Sequence, residues 1–132
     1  PNSKTNLLSG FQDIFPTVLD ICGIEKSFKT DGISFFNDLI GQQQNQKHEY
    51  LYWEIPEYGG QQAIRIRNFK AIRQDIFNGN LDIELFDLSI DIQENENIAY
   101  KYPAIINQAQ QIMNKEHSKS KIKRFQIPAL DK

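Results

Sequence analysis

Apolar residues change their spacing twice along this chain, and each change predicts a new kind of element. Phe11, Ile14, Phe15, Val18, Leu19 and Cys22 recur at helical spacing. They predict a helix over 12–22 with one apolar face, on which Cys22 packs. Ser9 with Gln12, or Asp13 alone, suits its start. Pro16 falls in the first turn, where a missing N–H costs little. Gly23 stands where a left-handed C-terminal cap belongs. Residues 24–34 read as a loop with a turn at Asp31-Gly32, and 34–40 as a short helix ended by Gly41. The polar run GQQQNQK at 41–47 reads as an exposed connection.

The period then shortens to two. Leu51, Trp53 and Ile55 alternate with Tyr50, Tyr52 and Glu54, which predicts a strand over 49–55 with two unlike faces. A loop at 56–60 separates it from a second strand, 62–67. Arg67-Asn68 suits a two-residue turn into a third strand, 69–76. Asn78-Gly79 is a hairpin signal, and 83–88 is the fourth strand. Residues 49–88 therefore read as a four-stranded antiparallel meander. After an acidic link the helical period returns. Pro103 opens a helix over 103–114 whose stripe of Ile105, Ile106, Ala109, Ile112 and Met113 should pack on one sheet face. The basic segment from Glu116 onward reads as a surface tail. The fold class is α+β.

Composition changes this picture little. The chain has 132 residues, enough for one domain, and 39 % of them are hydrophobic. A net charge of −2 gives the whole chain no electrostatic reason to bind nucleic acid. The basic run at 115–124 and the acidic one at 82–96 read as solvated faces. One cysteine excludes an internal disulfide. No stretch approaches the roughly 20 apolar residues of a membrane-spanning helix. Pro1-Asn2-Ser3-Lys4 reads like the middle of a loop, so a segment of a longer protein is expected.

Few residues suggest chemistry. His48 and His117 lie far apart and neither has a metal-motif partner nearby, so His48 reads as a polar residue at a strand entrance. Cys22 has no neighbouring base. The chain carries no G-x-S-x-G, phosphate loop or D-x-D-x-D calcium loop. Glu49, Glu54 and Glu57 are the carboxylates around the first strand. The loop between Glu54 and Gln61 mixes Tyr, Glu, Gln and paired glycines, which suits sugar hydroxyls. Gly59-Gly60 lets backbone approach a ligand closely. A carbohydrate-binding module built on Tyr50, Tyr52, Trp53 and Tyr58 is an alternative. The alternation sets Trp53 opposite Tyr50 and Tyr52, however, which argues against one aromatic platform.

The order of motifs resembles the type I sulfatases of the alkaline phosphatase superfamily. SGFQDIFPTVLDICGI at 9–24 is similar to the helix that follows their catalytic core. DGISFFNDLIG at 31–41 is similar to their DG-x-S segment, and IELFDLSIDIQENENIA at 83–99 to ELYDLxxDPxExxNLA. HEYLYWEIPEYGGQQAIRIRNFKAIR at 48–73 resembles their Trp-Glu strand, Gly-containing loop and A-V-R-x-G-x-W-K hairpin. EHSKSKIKRFQIP at 116–128 resembles the tail of bacterial members. Phe69 replaces the usual Trp, Ile92 replaces a Pro, and Ile55 to Tyr58 replace an aromatic and a His.

The resemblance implies that 1–47 ends a catalytic core, with the helix at 12–22 belonging to it, and that 48–132 forms the C-terminal subdomain. It implies a missing N-terminal catalytic domain that carries a formylglycine nucleophile, made from Cys or Ser in C/S-x-P-x-R, and calcium. Cys22 is followed by Gly23-Ile24-Glu25-Lys26, without that Pro or Arg. No catalytic or metal-binding residue is therefore expected here. The expected role is substrate recognition by Glu54, Glu57, Tyr58, Gly60 and Gln61, toward a sulfated carbohydrate or aryl sulfate. Arg65 and Lys70 either meet an anionic substrate or lay their stems on the sheet. A phosphoester or phosphonate hydrolase is the alternative within the superfamily. The resemblance also implies a periplasmic or secreted bacterial protein, and a fragment that exposes an apolar patch and self-associates.

Overall fold

The computed structural model describes residues 4–25 and 28–131. The chain divides into two compact units, Pro1–Leu51 and Tyr52–Lys132.

In the first unit a 3-10 turn, Phe11–Asp13, runs into helix α1, Ile14–Ile21. The helix starts later than its apolar period because Asp13 turns its carboxylate back to the Gly10 N–H, at 2.7 Å. It ends as expected: Gly23 takes φ +65°, the Ile24 N–H reaches the Leu19 carbonyl and the Gly23 N–H that of Asp20. Cys22, expected on the apolar face, is instead exposed. It is the C-cap residue, beyond the last turn. The face that α1 buries is polar. Thr17 is its buried residue, and its hydroxyl donates to the Asp13 carbonyl (2.6 Å) and accepts the Phe35 N–H (3.0 Å). Ile14, Phe15, Val18 and Ile21 are exposed. A single-turn helix α2, Phe36–Leu39, follows.

Asp13 ties this unit together. It is 1 % exposed and accepts the Gly10 N–H, the Ile33 N–H (2.8 Å) and His48 Nε2 (2.7 Å). Burial alone would raise its carboxyl. The Gly10, His48 and Ile33 donors outweigh that and hold it below the ordinary Asp value. His48 is thus a largely buried partner of Asp13 rather than a wet residue at a strand entrance.

The second unit is built on strands β1 (Leu51–Ile55), β2 (Gln61–Ile66), β3 (Phe69–Arg73) and β4 (Glu84–Asp87), in the order β1-β2-β3-β4. The α+β class and the antiparallel meander stand as read from the period. The β2–β3 turn falls at Arg67-Asn68, with Ile64 opposite Ala71, and Ala71 opposite Leu85. Those three side chains form the core with Ile98 and with Ala109 and Met113 of helix α3, Pro103–Glu116. The apolar stripe of α3 packs on one sheet face, as its spacing predicts.

Two expectations need correction. Strand β3 stops at Arg73, and Asn78-Gly79 does not turn a hairpin. A 3-10 turn, Ile76–Asn78, intervenes because Ile76 is fully buried and its N–H bonds to Gly60 (3.2 Å), while the Phe77 N–H bonds to Gly59 (2.8 Å). These bonds fasten the turn to the β1–β2 loop rather than to β4. The C-terminal tail is also no loose wrap. Ile127 is 1 % exposed, and a 3-10 turn at Lys123–Phe125 shapes the segment. At the far edge of the sheet, Leu85 donates to Asn97 Oδ1 and accepts the Ile98 N–H, which covers β4.

Candidate substrate-recognition site

The loop at 56–60 is held from below and strained at its tip. Gly59 and Gly60 both have positive φ and offer their carbonyls to Phe77 and Ile76. A Cβ on Gly59 would stand 3.1 Å from the Asp75 Oδ1 side-chain oxygen, and the φ of +86° there is one that residues with a Cβ rarely adopt. Tyr58 also adopts positive φ, +55°, at a cost of about 1–2 kcal/mol for a residue with a Cβ. Its ring is nevertheless 86 % exposed. The fold spends strain to hold an aromatic ring in solvent, beside the exposed Glu57.

Beside this loop lies a cavity of about 370 Å³, lined by Trp53, Ile55, Gln61, Lys70, Ile72 and Gln74 among others. Alternation along β1 sends Trp53 and Ile55 to this side and Tyr52 and Glu54 to the other. The structure thus groups Glu57, Tyr58 and Gly60 on the loop and sets Gln61 in the cavity wall. It places Glu54 elsewhere.

Glu54 belongs to a polar network on the α3 side of the sheet. Its Oε2 accepts Gln62 Nε2 (2.8 Å) and the Tyr52 hydroxyl, and faces His117 Nδ1 at 2.8 Å. His117 Nε2 faces Asp131 Oδ1 at 3.1 Å. Gln62 Oε1 accepts Arg73 Nη1 (3.0 Å), and Arg73 Nε donates to the Leu81 carbonyl (3.1 Å). Burial, then the Glu54 carboxylate, pushes the Tyr52 phenol well above its usual range. Burial lowers the Arg73 guanidinium from its usual value. The sequence reading did not find this network. Gln62 and Arg73 stand opposite in register, which the strand period implies once the turn is placed. Nothing local connects Glu54 to His117 or Asp131.

Among the described residues, no three His, Cys, Asp or Glu side chains are grouped to hold a metal ion. None of the described helices is long and apolar enough to cross a membrane.

The sheet, its packed helix and the propped loop define a small α+β module. No family model matches the chain. It is 32 % identical to arylsulfatase K of Rattus norvegicus over 119 residues, which is 80 % of this chain and 21 % of that protein. In fold it matches a Bacteroides thetaiotaomicron protein assigned to the sulfatases, with TM-score 0.67 and 28 % identity, over 78 % of this chain and 23 % of that one. A 2-O GAG sulfatase matches with TM-score 0.64 and 26 % identity, over 78 % and 23 %. These likenesses support a sulfatase family match for the chain. The chain spans about a fifth of the length of the curated relatives.

Proposed function

We propose that this chain is the C-terminal fragment of a sulfatase that hydrolyses sulfate esters of a glycan or aryl substrate. In this reading it supplies recognition surface, and a missing N-terminal catalytic domain supplies the nucleophile. The observation that carries the proposal is the loop at 56–60, which presents Glu57 and Tyr58 from a strained, doubly fastened backbone. A buried polar contact made by such a loop discriminates strongly between leaving groups. Glu54 acts beneath the site, by holding the strand that leads into the loop.

The parent's formylglycine and calcium do not fit the residues of this chain. Cys22 is exposed past a helix end and lacks the flanking Pro and Arg. Both groups are assigned to the N-terminal domain. The parent is proposed to be exported by a bacterium to the periplasm or beyond.

The test is an assay of the full-length parent and of Tyr58→Ala on an aryl sulfate and on sulfated sugars. Tyr58→Ala is expected to lower kcat/KM about tenfold on the preferred sugar, the loss of roughly 1.4 kcal/mol of transition-state binding. This chain alone should give no turnover. Turnover by this chain that Cys22→Ala abolishes would overturn the reading. Hydrolysis of phosphonate esters but not sulfates by the parent would favour the alternative within the superfamily.

A further inference from the structure

His117 lies between two carboxylates. Its Nδ1 faces Glu54 Oε2 at 2.8 Å and its Nε2 faces Asp131 Oδ1 at 3.1 Å. All three side chains are largely buried, Asp131 most deeply, at 4 % exposure. An ionised carboxylate only accepts hydrogen bonds, and a neutral imidazole has a single N–H. Both contacts can be hydrogen bonds to ionised carboxylates only when both ring nitrogens carry protons. The geometry therefore selects the imidazolium.

The two partners are held unequally. Glu54 sits on β1 and also accepts the Tyr52 hydroxyl and Gln62 Nε2. Tyr52 keeps its proton, because burial and then Glu54 raise its phenol well above the usual range. Asp131 lies on the C-terminal segment, and its Oδ2 is buried with no hydrogen-bond partner among the described residues. Its N–H bonds to the carbonyl of Ile127 (3.0 Å), which is itself 1 % exposed. Asp131 is the looser partner, and it stands on the segment that buries Ile127. The other charged groups around the ring are Lys115 and Glu116 at the end of α3, which pair at 3.2 Å, and Arg73 of β3, which reaches the network through Gln62.

We propose that His117 is a protonation-controlled clasp for the C-terminal segment: the imidazolium holds Asp131 and keeps 118–131 docked, and loss of its proton releases them. In the neutral ring the remaining N–H stays on Nδ1, toward Glu54, whose other two donors fix it in place. Nε2 then turns a lone pair on Asp131 Oδ1, and a buried carboxylate without a donor is costly. The segment is therefore closed on the acid side and opens as pH rises through the deprotonation of His117. β1 keeps its pairing throughout. The clasp does not depend on the sulfatase reading, and its test requires no ester cleavage.

The test is nuclear magnetic resonance of the isotope-labelled 132-residue chain. Its two histidines are His48 and His117, so His117→Gln assigns the ring signals. Ring nitrogen shifts report the protons and the Ile127 methyl shifts report docking, both followed from about pH 5 to about pH 9, the range in which histidine ordinarily changes charge. Both His117 nitrogens should be protonated while Ile127 is docked. Nε2 should lose its proton before Nδ1, and the Ile127 shift should move with the same midpoint. Amide exchange across 118–131, corrected for its intrinsic pH dependence, should rise at least tenfold over the same change. Asp131→Asn supplies an amide that donates to a neutral Nε2, so the segment should stay docked through deprotonation and the Ile127 response should vanish. If Asp131 were merely structural, that variant would leave the response unchanged or undock the segment at every pH, and either result would overturn the proposal. So would an Ile127 that stays docked in wild type while Nε2 deprotonates, or an Nε2 already bare at the acid end with Ile127 docked, which would put the proton on Asp131. A His117 still doubly protonated at the alkaline end would do the same, since the clasp would never open.

Discussion

Replacing Glu54 by Ala separates a structural role for this carboxylate from direct ligand contact. Glu54 Oε2 faces three donors: the Tyr52 hydroxyl, Gln62 Nε2 and His117 Nδ1. None of the three partner side chains is fully exposed. Removing the carboxylate leaves three groups to find water or go unpaired. A net hydrogen bond contributes about 0.5–1.5 kcal/mol, and one to a charged group about 1.5–3 kcal/mol. Partial rescue by water and non-additivity within one network bring the sum to about 3–5 kcal/mol. The assay is urea unfolding followed by Trp53 fluorescence, which reports on the second unit. With a slope of about 2 kcal/mol per molar urea, the midpoint should fall by roughly 1.5–2.5 M. Glu57→Ala, on the exposed loop, should shift it by under about 0.5 kcal/mol. A Glu54→Ala midpoint within about 0.5 M of wild type would refute the reasoning. The three contacts would then contribute little to the stability of the second unit.

Further expectations concern the core, the strained loop, acid stability and the apolar helix face. Met113→Ala should cost about 2–5 kcal/mol in the same unfolding experiment, since the side chain is fully buried between α3 and the sheet. Tyr58→Gly should stabilise the second unit by up to about 1 kcal/mol, by removing a Cβ from a positive-φ position; a loss of stability would show that the ring packs after all. The folded Asp13 carboxyl lies below its unfolded value of about 3.9. Its contribution is therefore fully present above that pH and is lost as pH falls through the lower, folded value. Thermal melts from about pH 6 to pH 2 should show wild type ahead of Asp13→Asn near neutrality and the gap closing in acid; a constant gap would contradict this. Exposed Phe15, Val18 and Ile21 on α1 should make the chain self-associate in sedimentation, and Val18→Asp should reverse it.

Elements in this chain were legible because their cause is local. A period of two or of 3.6 is written in neighbouring residues, so the four strands, α3 and the left-handed cap at Gly23 could be read without coordinates. So could the Arg67-Asn68 turn, which needs only two residues. The same local logic set Cys22 on a packed apolar face, because periodicity does not say whether anything covers that face: Ile14, Phe15, Val18 and Ile21 are exposed as well. It misread Asn78-Gly79 because the buried Ile76 and the carbonyls of Gly59 and Gly60 compete for that turn from a distance. It could propose Glu57, Tyr58 and Gly60 as one loop, since they are consecutive, but not say which way Glu54 turns.

Alternation, turn chemistry and helical stripes thus determined the α+β class and which residues share a face. Tertiary structure alone decided the partners of polar groups: Asp13 with His48, Glu54 with His117, His117 with Asp131, Lys70 with Glu94. Those pairs form because a buried or half-buried charge must find a counterpart wherever the packed chain offers one. The spacing of residues along the chain carries no record of that choice.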